Sequence, residues 1–319
     1  MLFSKIIKKQ FDAVLGRYDG NPALCYFSPK DFPDIQVEPF SVEGDKGLLH
    51  GNFYYYGTFQ PQRFVVFDHG IGAGHLAYFK EIELLAKQGY TVYAYDHTGC
   101  VKSAGEGIYG FAQGVSDLDH VLTALLQDER FKTAKIKLVG HSWGGYSVMN
   151  VAALHPEVTH VVSLAGFLSA KTLIAQYLPN FVMRYLPEVL DRERQNNPTY
   201  ADLDARDSLA VSKAHFMYLQ STDDPMVDYQ KNYVPLFEAL HARENTEFIS
   251  LTEHGHSPQW TVSAVRACAA MQKELEILTK KKKLQTKKAQ ADFRNAQDWT
   301  AMTEQDLAIW NRIFAFLEK

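Results

Sequence analysis

Ala134-Lys-Ile-Lys-Leu-Val-Gly-His-Ser-Trp-Gly-Gly-Tyr146 is the stretch on which the fold turns. Ile136 and Leu138 alternate with lysines as in a strand, and the run ends in Gly140-His141-Ser142-Trp143-Gly144. Small and apolar helix formers continue from Gly145 to Ala153. The pattern predicts a strand, a sharp turn and a helix, with a serine at the apex and a glycine two residues to either side. Glycine is needed there because a Cβ would collide once the turn tightens and pushes the serine outward. In that setting Ser142 is a candidate nucleophile.

Working outward, strands and helices alternate. Ile35–Glu43 and Leu48–Tyr56 show period two around the turn former Gly44-Asp45-Lys46-Gly47, which predicts an antiparallel pair. Arg63–Asp68 is a continuous apolar run of buried-strand type, followed by a helix from Tyr78 to Gln88 and a strand at Thr91–Tyr95. A helix from Val115 to Leu126 leads into the central strand. Beyond the serine, strands are expected at Thr159–Leu164, Ala214–Gln220 and Thr246–Leu251. Such alternation predicts parallel crossovers and a sheet covered by helices on both faces.

The remaining segments lack this rhythm. Residues 2–18 place Leu2, Phe3, Ile6, Ile7, Phe11, Val14, Leu15 and Tyr18 at helical spacing, with Lys5, Lys8 and Lys9 opposite. A helix packed on the domain surface is expected, the alternative being a basic amphipathic helix on an anionic membrane. Between Gly166 and Lys213 period two lapses, and an aromatic and aliphatic stripe broken by prolines predicts an inserted helical cap, the alternative being ordinary crossover helices. Pro258–Leu278 reads as a helix running into Lys280–Lys283, Lys287 and Lys288. Thr303-Glu-Gln-Asp306 caps a last amphipathic helix, with Leu307, Trp310, Ile313, Phe314 and Leu317 on its buried face. The organisation expected is an N-terminal helix and loop (1–34), a core (35–167 and 214–270), a cap (168–213) and a C-terminal helical extension (271–319).

Composition narrows the function. With 319 residues, 46% of them hydrophobic, the chain can bury a large core, and a net charge of -4 gives no basic footprint for nucleic acid. Three scattered cysteines without a C-x-x-C argue against disulfides or structural zinc and fit a reducing, cytoplasmic setting. No apolar run reaches the length of a membrane span.

A serine hydroxyl needs a base within hydrogen-bond reach, and the base an orienting acid. Two later loops supply both residue types. Ser221-Thr222-Asp223-Asp224-Pro225-Met226-Val227 follows one strand, and Thr252-Glu253-His254-Gly255-His256-Ser257 follows the next. Together with Gly140–Gly144 and the loop His69-Gly70-Ile71-Gly72-Ala73-Gly74-His75, this order of parts resembles the α/β-hydrolase fold, in its esterase, monoacylglycerol lipase and serine aminopeptidase branch. The resemblance spans roughly residues 48–270. It implies a mostly parallel, twisted sheet of about eight strands with a helical cap. It implies catalytic roles for Ser142, for Asp224 (the acid before Pro-x-Val, in preference to Asp223) and for His256 (the histidine after glycine, in preference to His254, expected to make a structural hydrogen bond). It implies an oxyanion hole from the backbone N–H groups of Ile71 and Trp143. Asp96-His97-Thr98-Gly99-Cys100-Val101-Lys102-Ser103 resembles the family's structural turn, with Cys100 a packed residue.

No cofactor or metal is expected. The glycines at 70–74 miss dinucleotide spacing, and no ligand set accompanies His254-x-His256. The Trp143 side chain either lines the acyl pocket or sits in the core. Tyr177, Phe181, Met183 and Tyr185 are the candidate pocket residues, and their character points to a small-molecule ester with an apolar group. The alternatives on the same parts are an exopeptidase, amidase or thioesterase, with Glu188 or Asp191 serving a charged terminus, and a catalytically silent binding protein.

Overall fold

The computed structural model describes residues 14–319. The helix expected over 2–18 lies outside them except at its end, and there it does not continue. Gly16 and Tyr18 enter isolated β-bridges with Gly107 and Cys100. A Cβ on Gly107 would stand 2.3 Å from the Leu15 carbonyl oxygen, so two backbones meet here at a distance that only glycine tolerates.

Eight strands form one sheet: β1 (Gln36–Gly44), β2 (Gly47–Tyr55), β3 (Phe64–Asp68), β4 (Thr91–Tyr95), β5 (Ile136–His141), β6 (Val158–Leu164), β7 (His215–Ser221) and β8 (Thr246–Leu251). Their spatial order is β1-β2-β4-β3-β5-β6-β7-β8. β2 runs antiparallel to both β1 and β4, and every other pairing is parallel. β3 and β4 are buried at every residue, which is why they read as unbroken apolar runs.

The crossover helices fall on two faces. α1 (Phe79–Lys87) lies on one face, and α2 (Gln113–Gln127) and α3 (Trp143–Val151) on the other. Between β6 and β7 the chain forms α4 (Ala170–Tyr177), a 3-10 segment (Asn180–Tyr185), α5 (Leu186–Asn196) and α6 (Ala205–Val211). α7 (Tyr229–Leu240) links β7 to β8. The tail carries α8 (Val262–Lys280), α9 (Lys287–Asn295), the single turn α10 (Trp299–Met302) and α11 (Leu307–Leu317). α11 is capped by Asp306, whose carboxylate accepts from the Ala308 and Ile309 N–H groups.

That last helix belongs to the sheet's core. Ile309, Trp310, Ile313, Phe316 and Leu317 are buried with Val65, Phe67 and Val92 against the α1 face. Leu307 was expected on the buried side, yet it is 61% exposed. The helix is apolar on so much of its circumference that spacing alone could not fix its rotation. No described helix is long and apolar enough to cross a membrane.

Candidate active site

Five loops meet at the C-terminal ends of β3, β4, β5, β7 and β8. The first carries Ser142, which holds φ 55° and ψ −111°, a conformation that side chains other than glycine rarely adopt. The strain is held from both sides. The Ser142 N–H donates to the Leu164 carbonyl at 2.8 Å, and the Ser142 carbonyl accepts from the Tyr146 N–H at 2.9 Å. The flanking glycines are needed for close approach, since a Cβ on Gly140 would lie 2.3 Å from the Gly144 carbonyl oxygen.

From the far side of the sheet, His256 Nε2 stands 2.9 Å from Ser142 Oγ. His256 Nδ1 is 3.0 and 2.9 Å from the two oxygens of Asp224. With the Nδ1 proton donated to that carboxylate, Nε2 is left as an acceptor for the serine hydroxyl. The Asp224 side chain is shielded from solvent, and its Oδ1 also accepts from the Met226 and Val227 N–H groups at 2.8 and 3.0 Å. Of the paired candidates, Asp223 turns away to accept from the Ser221 hydroxyl. His254 is tied to the same loop through its backbone rather than its ring. Its backbone N–H donates to Ser221 Oγ at 3.2 Å, while its buried Nδ1 has no partner among the described residues.

Ser142 also has a neighbour to which the sequence assigned no role. His141 Nε2 donates to the His256 carbonyl at 2.6 Å, and the Tyr78 hydroxyl donates to His141 Nδ1 at 2.9 Å. Burial, together with the nearby His256 imidazole, lowers the His141 pKa to about 3, so the ring stays neutral and its tautomer is fixed.

The loop from His69 to His75 is clamped at both ends. His69 Nδ1 donates to the Gly70 carbonyl at 2.6 Å, and its Nε2 accepts from the His97 N–H at 2.9 Å. Burial lowers His69 to about 3. His75 bonds Asp96 through both its backbone N–H and its Nδ1, at 3.0 and 2.7 Å. Burial raises the Asp96 carboxyl, but the His75 bonds outweigh it and bring the group to about 2. Between the clamps, Gly70 passes so close that a Cβ would lie 2.5 Å from the Tyr78 hydroxyl. The next residue, Ile71, borders the cavity in front of Ser142. The Trp143 N–H is the first of α3, one of the amides that a helix leaves without an internal acceptor.

Beneath this loop His97 lies fully buried between two carboxylates, Asp68 on Nε2 and Asp117 on Nδ1. Burial alone would strip its proton, yet the two acids win and lift it to about 9. The Trp143 side chain settles into the core beside it, with ring centroids 4.5 Å apart, and donates from Nε1 to the Phe111 carbonyl at 2.6 Å. Cys100 is fully buried, and burial pushes its thiol well above the ordinary range.

Ser142 and His256 open onto a cavity of about 720 Å³. Tyr177 and Phe181 line it. Met183 and Tyr185 do not, and pack against the core instead. They lie in a 3-10 segment with three residues per turn, so a stripe read at 3.6 points the wrong side chains inward. The rest of the wall comes largely from places that carry no motif, among them Phe111, Phe167, Leu173, Ile174 and Val189. Their only sequence signal is apolar character, shared with the core. Among the described residues no group of three His, Cys, Asp or Glu side chains is placed to hold a metal.

The sheet order, with the Ser142 turn after the central strand and Asp224 and His256 after later ones, defines an α/β-hydrolase. Residues 60–273 match the family model described as serine aminopeptidase, S33, and the chain belongs to that family of hydrolases. An esterase of Pyrococcus furiosus superposes with a TM-score of 0.57 at 17% identity, over 83% of this chain and 95% of that one. Acetyl xylan esterase from Paenibacillus sp. R4 gives 0.56 at 18% identity, over 80% and 88%. At such identities the likeness speaks for the fold. In sequence, a chloroplastic protein of Arabidopsis thaliana provisionally named methylesterase 15 is 34% identical over 116 residues, 36% of this chain. The chain spans 24% of that relative's length.

Proposed function

We propose that the chain is a serine hydrolase that cleaves carboxylic esters bearing an apolar acyl or alcohol group. In this reading His256 takes the Ser142 proton as Oγ attacks the ester carbon, and Asp224 balances the imidazolium. The N–H groups of Ile71 and Trp143 receive the oxyanion, a contribution of about 3 kcal/mol for each donor. The protonated His256 then delivers its proton to the leaving alcohol, and water, deprotonated by the same base, releases the acid from Ser142.

The observation that carries the reading is the placement of the Ser142–His256–Asp224 line at the floor of a cavity walled by aliphatic and aromatic side chains. An aminopeptidase must also receive a substrate ammonium, for which a carboxylate in the pocket is the usual partner. Glu188 and Asp191 are both exposed outside the cavity lining, and Asp191 is bound to Arg194 at 3.0 Å.

The test has two stages. A fluorophosphonate should label the wild type and leave Ser142→Ala and His256→Ala unlabelled; a wild type that stays unlabelled at neutral pH would favour a silent binding protein. Turnover of p-nitrophenyl esters of graded chain length, set against aminoacyl p-nitroanilides and thioesters, then assigns the bond. Preferred cleavage of the anilides would overturn the ester reading.

A further inference from the structure

The proposed mechanism leaves one deeply buried carboxylate unused. Glu193 is 1% exposed and lies in α5, one turn beyond Val189, which lines the cavity. Its two oxygens accept from the Phe111 and Ala112 N–H groups, at 3.0 and 3.2 Å. Gly110 makes the room, since a Cβ there would stand 2.5 Å from Glu193 Oε2. A carboxylate is costly to bury, and an apolar side chain would serve mere packing better. What the carboxylate adds is a double grip on two backbone donors.

The turn so gripped is strained. Tyr109 has φ 54°, rare for a residue with a side chain, and Gly110 follows at φ 132°. Such a turn persists where its surroundings fix it, and α5 fixes it a second time. The Asn196 side-chain amide donates to the Tyr109 carbonyl at 2.7 Å. From below, the Trp143 indole N–H donates to the Phe111 carbonyl at 2.6 Å. The backbone is therefore held on both sides of Phe111, whose buried ring is part of the cavity wall. That ring stands edge-on to Phe167, another wall residue, with centroids 5.8 Å apart.

We infer that Glu193 is a specificity-determining residue: it holds the turn of residues 109–112 where the Phe111 ring closes the buried wall of the cavity, and so favours esters whose apolar group is long enough to reach that ring. The wall rests on the geometry alone. Its consequence for esters rests in addition on the ester-hydrolase reading.

The test compares p-nitrophenyl octanoate with p-nitrophenyl acetate. The amide of Glu193→Gln can accept only one of the two N–H groups, and Glu193→Leu accepts neither. The ratio of kcat/KM, octanoate over acetate, should fall roughly threefold in the first and roughly tenfold in the second, the scale of one lost apolar contact in a pocket. The loss should appear in the KM for octanoate more than in kcat. Phe111→Ala should lower the same ratio roughly tenfold, and adding Glu193→Gln to it should cost little more, because residues that act through one contact are not additive. Should Glu193→Leu fail to fold, Glu193→Gln and the double variant decide. A wild-type ratio in Glu193→Gln would overturn the inference. So would a fully multiplied loss in the double variant, which would show Glu193 acting other than through Phe111. Binding of N-phenyl-1-naphthylamine, a neutral apolar fluorophore, to Ser142→Ala reads the wall without any chemistry. Adding Glu193→Gln to that variant should weaken the binding, and unchanged binding would overturn the wall assignment. Weakened binding with no turnover of any ester would sink the proposed activity and leave the wall assignment standing.

Discussion

His141 sits between two residues of the site and takes its orientation from both. It gives its one proton to the carbonyl of His256 and receives one from Tyr78, so its ring fixes the loop that carries the proposed base. Displacing a catalytic group by about 1 Å can cost a factor of about a hundred in rate. His141→Leu should therefore lower kcat and the fluorophosphonate labelling rate ten- to a hundredfold with a smaller change in KM. His141→Gln, whose amide can reach the same carbonyl, should recover part of the loss. Labelling of His141→Leu at the wild-type rate would show that the His256 loop holds itself. The coupling also shows what the sequence could reveal at this scale. That Ser142, Asp224 and His256 come together was legible because each sits in a turn whose glycine or proline marks it. The part played by His141 was not, because its partners lie 63 and 115 positions away and nothing in the sequence links it to either.

At the scale of elements, strands were the easiest to read, because a strand buried on both faces must be apolar throughout and ends where its loop begins. Thr91–Tyr95 falls where the pattern put it, and so does Thr246–Leu251, although that edge strand is only partly buried. Helix faces were harder. α11 is nearly all apolar, and its rotation is set by Asp306 at its start and by the sheet beneath it, not by any gap in the stripe. The same limit hid the cavity wall, where a 3-10 segment replaced the expected helix and turned Met183 and Tyr185 away. α11 offers a direct test of whether the tail is core. Trp310 is fully buried, and its Nε1 donates to Gln305 at 2.8 Å. Trp310→Ala should cost about 3–5 kcal/mol of unfolding free energy, the usual range for emptying a buried aromatic site. Urea unfolding of the full chain would measure it. A loss under about 1 kcal/mol, the range of surface changes, would mean that the helix is only laid against the sheet.

Across the whole molecule, the topology gathers charge from three elements into one buried point. Asp68 ends β3, His97 follows β4 and Asp117 lies in α2, so the imidazolium joins strands and helix below the site. This couples global stability to pH, and the sign is fixed by the direction of the shifts. His97 moves from an ordinary 6.5 up to about 9 on folding, so the stabilisation is complete below pH 6.5 and is lost as pH rises through 9. Burial raises Asp68, and an acid raised on folding likewise loses stabilisation as pH climbs. Burial also lifts Glu193 to about 7, although it accepts from the Phe111 and Ala112 N–H groups, and its contribution is lost between pH 4.5 and 7. All three shifts have the same sign, and above neutrality it is His97 that carries it, since there the folded chain keeps a proton that the unfolded one has released. Stability should fall by about 1.4 kcal/mol per pH unit for each proton in excess. The Tm is therefore expected to decline steadily from pH 6.5 to 9. Asp117→Asn, which removes one of the two carboxylates holding the proton on His97, should start from a lower Tm and show a shallower decline. A wild-type Tm that stays level or rises over that range would mean that His97 is neutral in the folded protein, and the buried charge would have to be reassigned.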